Sequence, residues 1–199
     1  PGGQAEGHHF TGISLPRDNR EGREHHLRTA LSLVEPLTGE DRPERRLYAR
    51  ILNSLAEQLS MGDDADKREA ATLFERRLAV NDEWKLGDLP GQARSHGGRG
   101  RLALWGAPPD YTTALEHFNA DLELSEKVGD EGGATMMHSL IGQCNLGMAR
   151  AGDDPPAHYE RALHHYRCSE ERSSSPVSMF FAGAGIIESI CGLGLHDEL

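Results

Sequence analysis

A sequence repeat with a period of 42 residues constrains this chain more than any other feature. The tetrapeptide Lys85-Leu86-Gly87-Asp88 returns 42 positions later as Lys127-Val128-Gly129-Asp130, and seven of the twenty positions from Lys85 to Leu104 are identical at that offset. His96 thereby becomes equivalent to His138. A period of roughly 20–50 residues is typical of arrays of small structural units that pack on their neighbours.

A second match has an offset of 48 residues. Tyr111, Ala114, Leu115, His117 and Phe118 return as Tyr159, Ala162, Leu163, His165 and Tyr166. The six additional residues lie near Asp153-Asp154-Pro155-Pro156, a sequence typical of a turn. An array of helical units tolerates an insertion at such a turn.

The apolar spacing is helical throughout, and alternating strand patterns are absent from the sequence. Tyr111, Ala114, Leu115, Phe118 and Leu122 form one stripe on a helix. Proline after cap-type polar residues marks helix starts, and glycine after a stripe marks helix ends. We predict an all-α fold of eight helices in four hairpins: 20–37 with 43–60, 65–85 with 89–105, 110–128 with 131–151, and 156–172 with 176–193.

Residues 1–19 lack a helical period and are rich in glycine and polar residues, so we predict an extended or disordered N-terminal lead there. The repeat domain is expected to cover 20–199. The ending Gly192-Leu193-Gly194-Leu195 looks like the turn before another helix, which favours a longer array of which this chain is one piece.

The charge balance excludes several classes of partner. Lys and Arg number 21 against 32 Asp and Glu, a formal net charge of −11, and the basic residues are scattered, so nucleic acid is not an expected partner. The longest apolar run, near Phe180 to Ile187, is shorter than a membrane span requires, so no membrane association is expected.

The segment from Ala114 to Ala134 resembles a tetratricopeptide repeat (TPR) of the long, 40–42-residue kind found in kinesin light chains and LGN-type polarity adaptors. The resemblance covers residues 43–194 and implies a right-handed α-solenoid of about four hairpins. Its first helices would line a concave groove that holds a peptide or protein segment. Gly97-Gly98-Arg99-Gly100-Arg101 departs from the pattern and predicts a distorted helix at that point.

Polar residues on the first helices are the candidates for contact with such a peptide, because arginine and amide side chains can hold carboxylates and backbone groups. These candidates are Arg76, Arg77, Asn119, Asp121 and Arg167. The repeat-equivalent His96 and His138 are expected at the groove edge or in packing between helices. An ordinary solvated surface is the competing interpretation for each groove candidate.

Motifs for catalysis are absent from the sequence: there is no nucleophile elbow, no phosphate-binding loop and no dinucleotide fingerprint. Glu160 and His164 share one helical face and are an alternative metal pair, but a metal site needs three or four ligands. We therefore predict no cofactor, no metal and no catalytic residue. Cys144, Cys168 and Cys191 are expected to fill the core as small apolar side chains.

These observations predict a non-catalytic scaffold that binds a protein or peptide. Two alternatives stay open: a regulatory or sensor segment of a larger multidomain signalling protein, and an enzyme or metal-binding protein with its site in the groove. The cysteine usage favours a reducing, cytoplasmic location. His196-Asp197-Glu198-Leu199 matches a retrieval signal of the endoplasmic reticulum and gives an alternative location.

Overall fold

The computed structural model describes residues 2–39 and 42–195. Within these residues there are nine α-helices, one short 3₁₀ helix at Glu35–Leu37, and no β-strand. The α-helices are α1 (Gly2–Ser14), α2 (Arg20–Val34), α3 (Glu44–Leu59), α4 (Asp64–Glu83), α5 (Leu89–Leu104), α6 (Tyr111–Val128), α7 (Glu131–Ala151), α8 (Pro155–Arg172) and α9 (Pro176–Leu193). The all-α prediction is confirmed, and the eight predicted helices begin and end within two or three residues of those observed.

The chain divides into two compact units, Pro1–Leu102 and Ala103–Leu199. Unit 1 contains α1 to α4 and most of α5, whereas unit 2 contains the last two residues of α5 and α6 to α9. Within each unit, helices that follow one another in sequence pack side by side, as α3 does with α4 and α7 does with α8.

Unit 1 has two apolar clusters. Leu27, Leu55, Leu59 and Phe74 form one of them. The other is built from α2, α3 and α4 and includes Val34, Ile51, Leu52 and Val80. The side chain of Arg77 on α4 is completely buried and forms an ion pair with Asp88 at 2.5 Å.

Unit 2 also has two apolar clusters. Phe118 and Met137 are fully buried in the first, between α6 and α7. The second joins α7, α8 and α9 through Leu146, Tyr166 and Ala182. Burial of these stripes is the main source of stability, since a single helix buries no apolar surface by itself.

The helix ends explain why the boundaries could be predicted. Asp63 begins α4 with a capping box, and Asp130 accepts a hydrogen bond from the Gly133 amide at the start of α7. At the other end of α7, Gly152 has the left-handed conformation (φ 88°) that glycine adopts most easily.

The N-terminal segment differs from the prediction. Residues expected to be extended or disordered form helix α1, whose Ala5, His9 and Gly12 are buried. His9 Nε2 lies 3.0 Å from Ser54 Oγ, and Gly12 leaves room for the Leu27 side chain. Packing on α2 and α3 therefore stabilises a helix that its own composition does not favour.

Helix α5 also differs from the prediction, because it continues without interruption through the glycine-rich segment 97–101. The reason is lateral packing: Gly98 lies against the Phe74 ring, and a Cβ atom there would overlap the ring. Arg99 adds an ion pair with Glu75 at 2.7 Å. The missing Cβ lets α4 and α5 approach closely.

Helix α9 is more apolar as a whole than its longest run indicates. Its 18 residues have a mean hydropathy of 1.5, and 22% of them are buried, so by length and composition α9 alone among the helices of the described residues could cross a membrane. Small and polar residues interrupt the apolar run, which is why the sequence predicts no such helix. The mostly buried core helices of soluble proteins meet the same criteria of length and composition, whereas most of α9 is exposed. The retrieval-signal hypothesis concerns His196–Leu199, which lie outside the described residues.

Candidate functional site

Unit 2 contains a groove of about 860 Å³, hereafter the α7/α9 groove. Helices α7 and α9 form its walls, and Tyr166 of α8 lies at its base. The connection between α8 and α9, with Ser173, Ser174 and Ser175, borders it as well. The groove exists because α8 packs behind α7 and α9 and holds them apart.

The walls of the groove carry large apolar side chains that remain in contact with solvent. Met136 on α7 is 48% exposed and Phe181 on α9 is 63% exposed. Exposed apolar side chains that face each other across a concave surface are typical of binding sites, since a ligand removes both from water.

Charged and polar groups complete the groove. Arg150 on α7 forms a bidentate ion pair with Glu188 on α9, at 2.7 and 2.5 Å, and this hydrogen bonding raises the pKa of Arg150. On the α7 wall, Ser139 Oγ lies 2.7 Å from Ser169 Oγ of α8. The exposed amide of Gln143 also faces the groove. Such groups can orient the backbone of a bound peptide.

The reactive groups near the groove are not activated for catalysis. Burial raises the pKa of the Tyr166 phenol to about 12 and that of the Cys144 thiol to about 12, so both are protonated at neutral pH. Among the described residues, no three His, Cys, Asp or Glu side chains lie close enough together to hold a metal ion.

Two pairs of imidazoles join neighbouring helices. His138 Nδ1 on α7 lies 2.9 Å from His165 Nδ1 on α8, and in unit 1 His8 Nδ1 lies 2.9 Å from His26 Nδ1. Burial and the neighbouring His138 and His164 lower the pKa of His165 to about 4. The pKa of His138 is also lowered, mainly by burial, and its Nε2 is buried without a hydrogen-bond partner among the described residues.

The predicted groove residues do not come together as one site. Arg77 is completely buried in unit 1 and pairs with Asp88, so it is not available to a peptide. Arg76 is exposed, pairs with Glu83 at 3.1 Å, and its guanidinium lies 5.9 Å from the centre of the Trp84 ring. A pattern of polar positions on a helix cannot distinguish these two neighbours.

In unit 2 the predicted residues have three different surroundings. Asp121 is buried and accepts a hydrogen bond from Ser125 Oγ at 3.0 Å. Asn119 is exposed and donates to the Leu115 carbonyl at 2.8 Å. Arg167 lines a smaller cavity of about 390 Å³ together with Glu160 and His164. The structure thus places Arg167, one of the predicted groove residues, beside Glu160 and His164, the alternative metal pair.

The repeat-equivalent histidines lie on second helices, His96 on α5 and His138 on α7. His138 packs between helices, as its hydrogen bond to His165 shows. Sequence reasoning missed Met136 and Phe181 because both look like ordinary core residues within a helical stripe. Only their exposure in the structure identifies them.

Comparison with known proteins adds no family. No protein-family model matches the chain, and no curated protein matches it.

Proposed function

We propose that this protein is a non-catalytic module that binds a polypeptide segment in the α7/α9 groove. The observation that carries the proposal is the pair Met136 and Phe181, two large apolar side chains that face the same open groove and are about half exposed or more. Covering both would remove a substantial apolar area from water.

The proposal includes the assignment of the hairpins to the TPR class, arranged as a right-handed α-solenoid. The 42-residue repeat and the side-by-side packing of successive helices within each unit support it. The expected binding surface differs from the concave groove predicted from the sequence, because the α7/α9 groove lies between second helices of successive hairpins.

The polar part of the groove favours a peptide over a small apolar ligand. Gln143 offers an amide that can donate to and accept from a peptide backbone, and the Arg150–Glu188 pair gives the groove both signs of charge. We expect bound segments to contain two apolar side chains for Met136 and Phe181, with polar residues between them.

The test is selection of a random dodecapeptide library on the immobilised full chain, followed by calorimetric titration of the enriched peptides. We expect Met136→Asp and Phe181→Asp each to weaken binding by about tenfold or more, since a buried apolar contact is worth roughly 1.5–3 kcal/mol. Met61→Asp is the matched control, because Met61 is 81% exposed and belongs to unit 1.

Two results would contradict the proposal. One is a selection that enriches no peptide above the blank surface. The other is a set of enriched peptides whose affinities are unchanged by both groove substitutions.

A further inference from the structure

The Tyr166 side chain reaches the α7/α9 groove through an opening between α7 and α9. Its ring lies against Gly142 of α7 and Gly185 of α9, and a Cβ atom would lie only 2.9 Å from the ring at Gly142 and 2.4 Å at Gly185. The two glycines therefore leave the space that the ring fills. Helices α7 and α9 run in the same direction, since the Arg150–Glu188 ion pair follows the glycines on both helices.

The hydroxyl of Tyr166 has no hydrogen-bond partner within residues 2–39 and 42–195. The residue is only 7% exposed, although it lines the groove. Burial raises the pKa of the phenol to about 12, so the hydroxyl keeps its proton and can donate a hydrogen bond. Because a buried donor without an acceptor is costly, a bound molecule that supplies an acceptor gains by pairing with it.

The charges beside the phenol restrict the kind of acceptor. After burial, the carboxylate of Glu188 has the next largest influence on the pKa of Tyr166 and raises it, whereas the smaller influence of Arg150 lowers it. The hydroxyl is therefore under the net influence of a negative charge, which disfavours a carboxylate or a phosphate as its acceptor. A neutral carbonyl oxygen fits this position better.

The distance from the hydroxyl to the apolar walls of the groove follows from the helix geometry. Met136 precedes Gly142 by six residues on α7, and Phe181 precedes Gly185 by four residues on α9. Because a helix rises about 1.5 Å per residue, the Tyr166 ring lies roughly 9 Å and 6 Å along the groove from these two side chains. An extended segment, at about 3.3 Å per residue, covers that distance in two or three residues.

We propose that the α7/α9 groove holds its polypeptide segment in an extended conformation, with a backbone carbonyl of the segment accepting a hydrogen bond from the Tyr166 hydroxyl. This inference rests on the proposed function. An extended segment has unpaired carbonyl and amide groups, whereas a helix pairs them internally. A bound helix would cover the hydroxyl without pairing it. The exposed Gln143 amide, which also lines the groove, can bind a second backbone group of an extended segment.

The central variant is Tyr166→Phe, titrated calorimetrically with the peptides enriched on the full chain. The hydroxyl has no partner inside the described chain, so its removal should leave the midpoint of thermal unfolding unchanged within about 2 °C. It should nevertheless weaken peptide binding about fivefold to tenfold. Tyr159→Phe is the matched control, because Tyr159 also lies on α8 and meets Gly192 of α9 but does not line the groove. It should change the affinity less than about twofold.

A second measurement reports the hydrogen bond and the conformation of the peptide itself. Replacing one peptide bond at a time by an ester weakens the carbonyl as an acceptor, and we expect one position to lose affinity severalfold with the unsubstituted protein. That loss should disappear in Tyr166→Phe, since the coupling between the two changes isolates their contact. The Cα shifts of a ¹³C-labelled peptide bound to the unlabelled chain should be those of extended residues.

Three results would overturn the inference while the peptides still bind. Helical Cα shifts along the bound peptide would assign the groove to a helix. Equal affinity for the unsubstituted protein and Tyr166→Phe would show that the hydroxyl does not contact the segment. Enriched peptides that all require an Asp or Glu side chain or a free C-terminal carboxylate would assign the hydroxyl to an anion. A selection that enriches no peptide overturns the proposed function as well, so the two failures are distinguishable.

Discussion

The two units enclose polar groups in different ways. Unit 1 encloses the guanidinium of Arg77 beside the partly exposed carboxylate of Asp88, whereas in unit 2 the imidazoles of His138 and His165 pack against each other. Desolvation is the largest influence on each group and lowers the pKa of Arg77, His138 and His165 alike. Similar helix packing can therefore enclose either a permanently charged group or a titratable ring.

Removing the counter-charge of Arg77 in unit 1 should cost more stability than protonating the imidazoles in unit 2. Asp88→Asn keeps an acceptor for the Gly91 amide but leaves Arg77 without a counter-charge, and we expect unit 1 to lose about 3–5 kcal/mol. The measurement is urea unfolding followed by Trp84 fluorescence in a Trp105→Phe background. Arg77→Met combined with Asp88→Asn should recover much of the loss. An unchanged unfolding midpoint in Asp88→Asn alone would contradict the proposed difference between the two units.

Acid should act mainly on unit 2. Because the pKa values of His138 and His165 lie below 6.5 in the fold, the unfolded chain binds more protons as the pH falls below 6.5. We therefore expect stability to decrease between about pH 6.5 and 4, by about 1–3 kcal/mol given the partial exposure of His165. The decrease is measured by hydrogen exchange of the α7 and α8 amides from pH 7 to pH 4.5, corrected for the intrinsic exchange rates.

The charges around the imidazole pair define the controls. His138 and His165 face His164, Arg172 and Glu126, of which only Glu126 opposes the lowered pKa of His138. His165→Phe should flatten the pH dependence, and the exposed His164→Gln should reduce it only slightly. Unit 1 contains one histidine of this kind, His9, so an equal loss in both units would refute the contrast.

Both units contain a contact between a glycine and an aromatic ring, so the same substitution can be compared in the two units. Gly98 meets Phe74 in unit 1, and Gly185 meets Tyr166 in unit 2. Each Gly→Ala substitution should cost about 1–2 kcal/mol net, because overlap with the ring exceeds the gain in helix propensity. Gly183→Ala is the control: its nearest neighbour would be 4.0 Å away, so it should stabilise unit 2 by about 0.5–1 kcal/mol in thermal unfolding.

The smallest effect is expected at the exposed ion pairs. Arg28 and Glu69 in unit 1, and Arg150 and Glu188 in unit 2, form bidentate contacts at 2.5 to 2.7 Å. Glu69→Gln and Glu188→Gln should each cost about 0.2–1 kcal/mol in denaturant titrations, and less in 1 M salt. A larger loss in either variant would show that surface charge, too, distinguishes the units.

Much of the fold could be predicted because its signals are local. The Tyr111-to-Leu122 stripe, the Asp130 cap and the Gly152 terminus each lie within one helix or at its end. Helix α1 could not be predicted, since its stability comes from contacts with α2 and α3. The groove residues Met136 and Phe181 were missed for a similar reason, because they lie on helices that are not neighbours in sequence.

The helical class, the 42-residue period and nearly all helix boundaries could be predicted, because periodicity and capping depend on residues a few positions apart. Which polar residues are buried and which apolar ones stay exposed depends on packing between helices. Arg76 and Arg77 are adjacent in sequence, yet one is exposed and the other is enclosed with Asp88. Burial depends on which helix packs against a residue, and helical spacing does not specify that neighbour.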